Sequence, residues 1–152
     1  MVTTVQSLGL SGISGYEVSV ECMISGGLPA FDVVGLPDAA VKEAKNRVQS
    51  ACENSGYRFP ALELTLNLAP ADRRKEGSAF DAAIAIGIMA ASGQLESEWL
   101  EEFIILGELA LDGTLRGING ALPVAIHAAA EGFKGCILPK ESAAECAEVE
   151  GI

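Results

Sequence analysis

Residues 79–91, "AFDAAIAIGIMAA", limit the possible folds more than any other part of the chain. Apolar side chains would occur on nearly every side of a helix formed by this stretch, so no face of it suits water. Its uninterrupted apolar run, residues 82–91, is too short to cross a membrane. We therefore predict a central, buried helix at 79–91 that other elements cover.

Alternating apolar and polar residues predict strands on the N-terminal side of this helix. "YEVSVECMI" alternates, Gly26-Gly27 predicts a turn, and "AFDVVGLP" is interpreted as the partner strand. "ALELTLNLAP" alternates again, and it ends at Pro70. One face of this strand is entirely leucine: Leu62, Leu64, Leu66 and Leu68.

Helical signals separate and follow these strands. Asp38 is predicted to cap a helix that ends at Gly56, with Val41, Ala44, Val48 and Cys52 on one face. After 79–91 come a short acidic helix (96–102), a strand "FIILGELAL", an Asp112-Gly113 turn to "TLRGI", a helix (121–131), a strand "GCILP" and a last helix (141–148). This order predicts an α+β sandwich, with one mixed sheet and helices, as a single domain spanning 1–152.

The charge is distributed unevenly. The net charge of −11 by itself argues against a nucleic-acid-binding protein. Seven of the ten Lys and Arg residues, however, lie between positions 42 and 75, against four acidic residues there. That window is interpreted either as a surface that faces a partner or as a solvated face with local ion pairs. The N-terminus lacks the features of a signal peptide, so a cytoplasmic location without membrane contact is expected.

The four cysteines and the one histidine do not have the spacing of a metal site. Cys22, Cys52, Cys136 and Cys146 contain no CxxC pair, and His127 stands in an Ala-rich helical stretch. Buried free thiols are expected, with no metal or cofactor in this chain.

The loop at 71–77 carries the densest group of cations, Arg73, Arg74 and Lys75. The helix that follows has a positive N-terminal end, and the loop and helix together favour a phosphate. A nucleic-acid backbone is the ligand that this pattern favours, because base-stacking aromatic residues do not accompany the cations in the sequence. Lys42, Lys45 and Arg47, on the preceding helix, are a second candidate contact.

Ser78 has two interpretations. With Asp81 three residues later it has the form of a capping box, so both are predicted to cap the helix. A catalytic serine would need a base, and the chain offers only His127 or the badly placed Lys75. The Walker motif, which binds the phosphates of a nucleotide, is absent from this 152-residue sequence.

Three long stretches resemble the ComM/YifB family of Mg-chelatase-like AAA+ proteins. They are "FDVVGLPDAAVKEAKNRVQSA", "LTLNLAPADRRKEGSAFDAAIAIGIMAASGQL" and "ILGELALDGTLRGINGALPVAIHAA". The resemblance extends from about Val5 to the end and covers the N-terminal domain that precedes the ATPase module. The ending "AEVEGI" leads us to expect a cut between domains.

In that family, the N-terminal domain resembles the proteolytic domain of Lon, whose fold is shared with the GHMP kinases. Matching Lon's serine motif to Lys75, Glu76 and Gly77 places Ala79 at the serine, and matching its lysine motif to residues 118–121 places Leu122 at the lysine. A one-residue gap would bring Ser78 into register but would not restore the lysine. The resemblance therefore implies a non-catalytic domain.

The resemblance also implies a role for the parent protein. ComM-type proteins are implied to be hexameric, ATP- and Mg²⁺-dependent DNA motors that promote branch migration during natural transformation. This domain would contribute DNA contact or ring assembly beside its own ATPase module. The alternative is a degenerate Lon-type serine peptidase that uses Ser78.

Overall fold

The computed structural model describes residues 2–11, 14–75, 77–118 and 120–143. The described strands are β1 (Val2–Ser11), β2 (Ser14–Ser25), β3 (Ala30–Val34), β4 (Glu63–Ala69), β5 (Phe103–Ile105), β6 (Glu108–Leu109), β7 (Leu115–Arg116) and β8 (Gly135–Ile137). The described helices are α1 (Ala39–Lys42), α2 (Ala44–Asn54), α3 (Asp81–Ala91), α4 (Ala121–Ala130) and α5 (Lys140–Ala143), with one 3-10 turn at Leu100–Glu102.

Six strands form a mixed sheet in the order β3-β4-β2-β1-β5-β8. The pairs β1–β2 and β2–β4 are antiparallel, and the pairs β3–β4, β1–β5 and β5–β8 are parallel. The strands β6 and β7 form a separate antiparallel hairpin. This mixed architecture with its mostly parallel sheet agrees with the predicted α+β class.

The main core lies between one face of the sheet and the helices α2 and α3. Val5, Val18, Val20 and Cys22 from β1 and β2, and Leu64, Leu66 and Leu68 from β4, are fully buried there. The helix α3 is buried along almost its whole length, which confirms the prediction made from its apolar sequence. On the opposite face, α4 covers a smaller cluster that contains Leu8, Ile104 and Val124.

Two strand predictions are corrected. The segment 30–34 does not pair with β2; it lies parallel to β4, and α1 and α2 form the crossover between the two strands. The single strand predicted for "FIILGELAL" is divided at Gly107, whose N–H donates to Ala79 O at 2.8 Å. The chain therefore leaves the main sheet at Gly107, and β6 joins the hairpin instead.

The capping role predicted for Ser78 and Asp81 is wrong. The helix α3 begins at Asp81, its N-cap is Phe80, and no side chain in the described part of the chain caps its first turn. Ser78 lies three residues before the helix and donates its hydroxyl to Glu108 Oε1. The predicted cap at Asp38 is confirmed, because Asp38 Oδ1 accepts the Val41 N–H at 2.9 Å.

No helix in the described ranges is long and apolar enough to cross a membrane. The predicted last helix is described only at 140–143, and its remainder lies outside the described residues, as does Cys146.

Candidate functional site

The cation loop after β4 is fixed by backbone hydrogen bonds to the segment before α1. Lys75 N–H donates to Leu36 O, and Asp38 N–H donates to Lys75 O, each at 2.9 Å. These two bonds form a parallel bridge between Pro37 and Lys75. The loop and the start of α1 are therefore brought together at one corner of the sheet.

Asp38 strengthens this junction with both oxygens of its carboxylate. Oδ1 caps α1 through the Val41 N–H, and Oδ2 accepts the Gly77 N–H, each at 2.9 Å. Gly77 has a φ of +83°, in the left-handed region where glycine is favoured. One side chain thus fixes both the start of a helix and the end of the cation loop.

Lys75, predicted as a DNA contact, is instead fully buried. Its ammonium donates to Gly35 O at 2.8 Å and to Pro70 O. Burial lowers the pKa of Lys75, and the nearby Asp72 carboxylate opposes that shift. A side chain with no exposed surface cannot bind a phosphate, so Lys75 supports the loop from inside.

Arg47, the third cation predicted on the preceding helix, is also engaged within the protein. Its Nε lies 2.7 Å from Asp81 Oδ2, and its Nη2 lies 3.1 Å from Asp81 Oδ1. Burial raises the pKa of Asp81, while the hydrogen bonds from Arg47 and the Leu109 amide oppose that rise. The same hydrogen bonding raises the pKa of Arg47, which is already a permanent cation. We conclude that Arg47 stabilises a buried carboxylate and is unavailable to a ligand.

Four of the six predicted contact residues remain at the surface. Lys42 and Lys45 are exposed on α1 and at the start of α2, and Arg73 and Arg74 are exposed in the loop. Within the described ranges, no ion pair involves Lys42, Lys45 or Arg73. We call these four residues the basic corner. Glu76, the acidic residue next to Lys75 in the sequence, lies outside the described residues.

An aromatic residue that the sequence reasoning missed supports the basic corner. Arg73 Cζ lies 4.1 Å from the centroid of the Tyr16 ring, which is the distance of a cation–π contact. The Tyr16 hydroxyl donates to Arg74 O at 2.8 Å. Tyr16 is 57 positions before Arg73, so no local pattern connects the two. Gly9 is the related signal, because a glycine within a strand often marks a close approach, but its strand β1 is not predicted from the sequence.

Gly9 makes room for that ring. It is the direct partner of Tyr16 across β1 and β2. A Cβ atom at position 9 would lie only 2.3 Å from Tyr16 Cζ. The Tyr16 ring therefore rests on the bare backbone at Gly9, and Arg73 lies over the same ring.

The geometry around Ser78 does not reproduce Lon's serine–lysine pair or a serine–histidine pair. Among the described residues, the partner of its hydroxyl is Glu108 Oε1, and Glu108 Oε2 lies 3.9 Å from Arg116 Nε. His127, considered as a base, lies beside Glu17, with 3.5 Å between Nε2 and Oε1. Leu122, at the position matched to Lon's lysine, is an exposed residue at the start of α4.

The described part of the chain shows no metal-ligating cluster, and its two buried cysteines are not reactive thiols. No group of three or more His, Cys, Asp or Glu residues is placed to hold a metal ion there. Burial raises the pKa of Cys22 to about 12 and that of Cys52 to about 11. Both thiols therefore stay protonated at neutral pH, which disfavours nucleophilic chemistry.

Comparison with known proteins places this chain among Mg-chelatase-type sequences. The family model for the subunit ChlI of Mg-chelatase matches residues 20–142. YifB of Escherichia coli is 44% identical over 157 residues, covering 92% of this chain and 31% of the relative. The competence protein ComM of Haemophilus influenzae is 46% identical over 145 residues, covering 95% of this chain and 28% of the relative.

A Mycobacterium tuberculosis relative is 39% identical over 146 residues, covering 96% of this chain and 29% of the relative. The chain thus spans about a third of the length of the curated relatives it matches. Because the family model matches most of its residues, the chain belongs to the Mg-chelatase ChlI-subunit family, in which it is similar to YifB and ComM.

Proposed function

We propose that this chain is a non-catalytic N-terminal domain of a ComM/YifB-type, Mg-chelatase-like AAA+ ATPase, and that it contributes a DNA contact. The relatives' names support the first part, since one of them is a competence protein. The parent protein would bind ATP and Mg²⁺ in its ATPase module and assemble as a cytoplasmic hexamer. Its role would be ATP-dependent DNA branch migration during natural transformation.

The observation that carries the DNA contact is the basic corner. Lys42, Lys45, Arg73 and Arg74 are exposed around a junction that backbone hydrogen bonds and Asp38 hold in place. The chain as a whole has a net charge of −11, so most of its surface repels a polyanion. A small basic area on an acidic protein favours one orientation of a nucleic acid. Repetition of the domain around a ring would strengthen a contact that is weak in a single copy.

The fold and the absence of catalytic activity form a second part of the proposal. The family resemblance supports a Lon-type or GHMP-kinase-type fold. Ala79 and Leu122, at the positions matched to Lon's catalytic serine and lysine, support the loss of that dyad. Ser78 donates its hydroxyl to the Glu108 carboxylate, and the position matched to Lon's lysine is Leu122, so the serine–lysine pair of a Lon-type peptidase is not reproduced and the degenerate-peptidase alternative is less favourable. Labelling of Ser78 by a serine-directed covalent probe would contradict this part of the proposal.

The DNA contact is tested by binding measurements on the intact protein across a salt series. We expect the variant Lys42→Ala/Arg73→Ala/Arg74→Ala to bind DNA more weakly. The dependence of log affinity on log salt should become shallower by roughly 0.7–0.9 for each phosphate that the variant no longer neutralises. The matched control is Arg58→Ala, which removes an exposed cation from the loop before β4, at the other end of that strand from the cation loop. Equal affinity and equal salt slope in parent and triple variant would overturn the proposal.

A further inference from the structure

We infer that Arg73, which lies over the Tyr16 ring, is a stacking platform for a base of single-stranded DNA. The inference rests on the proposed DNA contact and goes further, because it names the strand form and the residue that distinguishes it. A guanidinium group is planar and stacks on aromatic rings with its π surface. Nucleic-acid bases stack on such planes when they are not already stacked within a duplex.

The first support is that Gly9 and Arg73 both contact Tyr16. The Tyr16 ring leans over Gly9, where a Cβ atom would collide with it. The Arg73 guanidinium carbon then lies 4.1 Å from the centre of that ring. Arg73 is an exposed residue, so its side chain remains accessible to solvent while it contacts the ring.

The second support is that the platform is fixed before any ligand binds. Tyr16 donates its hydroxyl to the backbone of Arg74, which ties the ring to the loop. The buried Lys75 ammonium ties the same loop to Gly35. Stacking on a group that is already ordered avoids much of the entropy cost of arranging a long side chain.

The third support is the state of the Arg73 charge. No ion pair involves Arg73 within the described ranges. An arginine that is stacked but not paired keeps its hydrogen-bond donors available for the phosphate next to the stacked base. A duplex would offer Arg73 only the phosphates and the base edges, whereas a single strand offers the flat faces as well. The geometry therefore favours a single strand.

The test compares two single strands with the same number of phosphates. One is a thymidine oligonucleotide and the other is an abasic strand of equal length. Binding is measured by fluorescence anisotropy with the intact protein and its Arg73→Lys variant, which keeps the charge but lacks the planar group. Arg58→Lys is the matched control.

We expect the parent to bind the base-bearing strand roughly fivefold or more tightly than the abasic strand, which is the lower end of the effect of stacking one base. Arg73→Lys should remove that difference by weakening binding to the base-bearing strand only, and Arg58→Lys should leave it unchanged. Equal binding of both strands by the parent, or tighter binding of a duplex of the same sequence, would overturn the stacking inference. If Arg73→Ala then still weakens DNA binding in a salt-dependent way, the proposed phosphate contact stands alone. If no DNA form is bound through Arg73, the inference is overturned and the proposed contact at this residue fails with it.

Discussion

Arg47 and Asp81 connect the helices α2 and α3 through a two-point ion pair inside the protein. Arg47 Nε lies 2.7 Å from Asp81 Oδ2, and Nη2 lies 3.1 Å from Oδ1. The same Nη2 donates to Ala40 O at 2.7 Å, and Asp81 Oδ2 accepts the Leu109 N–H at 3.2 Å. One pair of side chains therefore links three helices to the β6–β7 hairpin.

We expect Arg47→Ala to lower the free energy of unfolding by about 3 kcal/mol, near the lower end of the range for breaking a buried pair. The reason is that Asp81, whose side chain is 1% exposed, would be left buried without its counterion. The lower end applies because the Arg47 side chain is 22% exposed, so water reaches part of the pair. Urea unfolding of parent and variant measures the difference.

Lys45→Ala is the control for this prediction, because Lys45 is an exposed neighbour on the same helix. Its effect should stay within about 0.5 kcal/mol, as for most surface substitutions. A similar small effect for Arg47→Ala would show that the carboxylate finds other partners or that the pair contributes nothing.

Lys75→Met should destabilise the protein by about 1–3 kcal/mol, because the carbonyls of Gly35 and Pro70 would lose their buried donor. The exposed neighbour Arg73, changed to Ala, should have much less effect on stability. Thermal or urea unfolding separates the two. Equal stability of Lys75→Met and the parent would show that water replaces the ammonium, so that the loop does not depend on it.

The stability conferred by Lys75 should also depend on pH. Its pKa in the folded protein is lowered by burial from the ordinary value of 10.5. Below 10.5 and above the lowered pKa, the unfolded chain holds a proton that the folded protein has released. Unfolding then takes up a proton, so the stability of the folded state rises with pH in this window. The unfolding free energy of the parent minus that of Lys75→Met should therefore increase from neutral pH toward 10.5. A difference that falls or stays constant would contradict the buried position of the amine.

Asp38 should contribute more than an ordinary helix cap. Asp38→Ala would remove both the acceptor for Val41 N–H and the acceptor for Gly77 N–H. Loss of a cap alone costs about 0.5–2 kcal/mol, and we expect the total to exceed that of Asp38→Ser. Serine can cap α1, but with one oxygen it cannot also reach the loop. Equal unfolding free energies for the two variants would show that the bond to Gly77 adds nothing.

The sequence predicts the parts of this fold whose pattern is local. The alternation of Leu64, Leu66 and Leu68 identifies β4, and Asp38 before an apolar periodicity identifies the start of a helix. The strand β1 escapes prediction because two of its buried positions are polar. Thr3 and Ser7 donate their hydroxyl groups to Gly87 O and Ile105 O, at 2.8 and 2.7 Å, so their burial depends on partners far along the chain.

In the candidate site, too, the sequence predicts the local features and misses those that depend on residues far along the chain. The sequence shows that cations are concentrated between positions 42 and 75. It does not show which of these side chains are exposed to solvent. Arg47 is held inside by Asp81, and Lys75 is held inside by two backbone carbonyls. The ring under Arg73 comes from another strand altogether.

Gly9→Ala should move the Tyr16 ring and with it the support of Arg73. The new Cβ would lie 2.3 Å from Tyr16 Cζ, so the ring must swing away. Because the far end of a side chain can move, we expect a modest cost of about 1–2 kcal/mol. Gly26→Ala is the matched control, since nothing lies within 4 Å of a Cβ there. A double-mutant cycle with Tyr16→Ala decides the cause, because Gly9→Ala should cost much less once the ring is gone, with a coupling energy of roughly 0.5–3 kcal/mol for residues in contact. An unchanged cost in the Tyr16→Ala background would mean that Gly9 is required by the strand itself and not by the ring that carries Arg73.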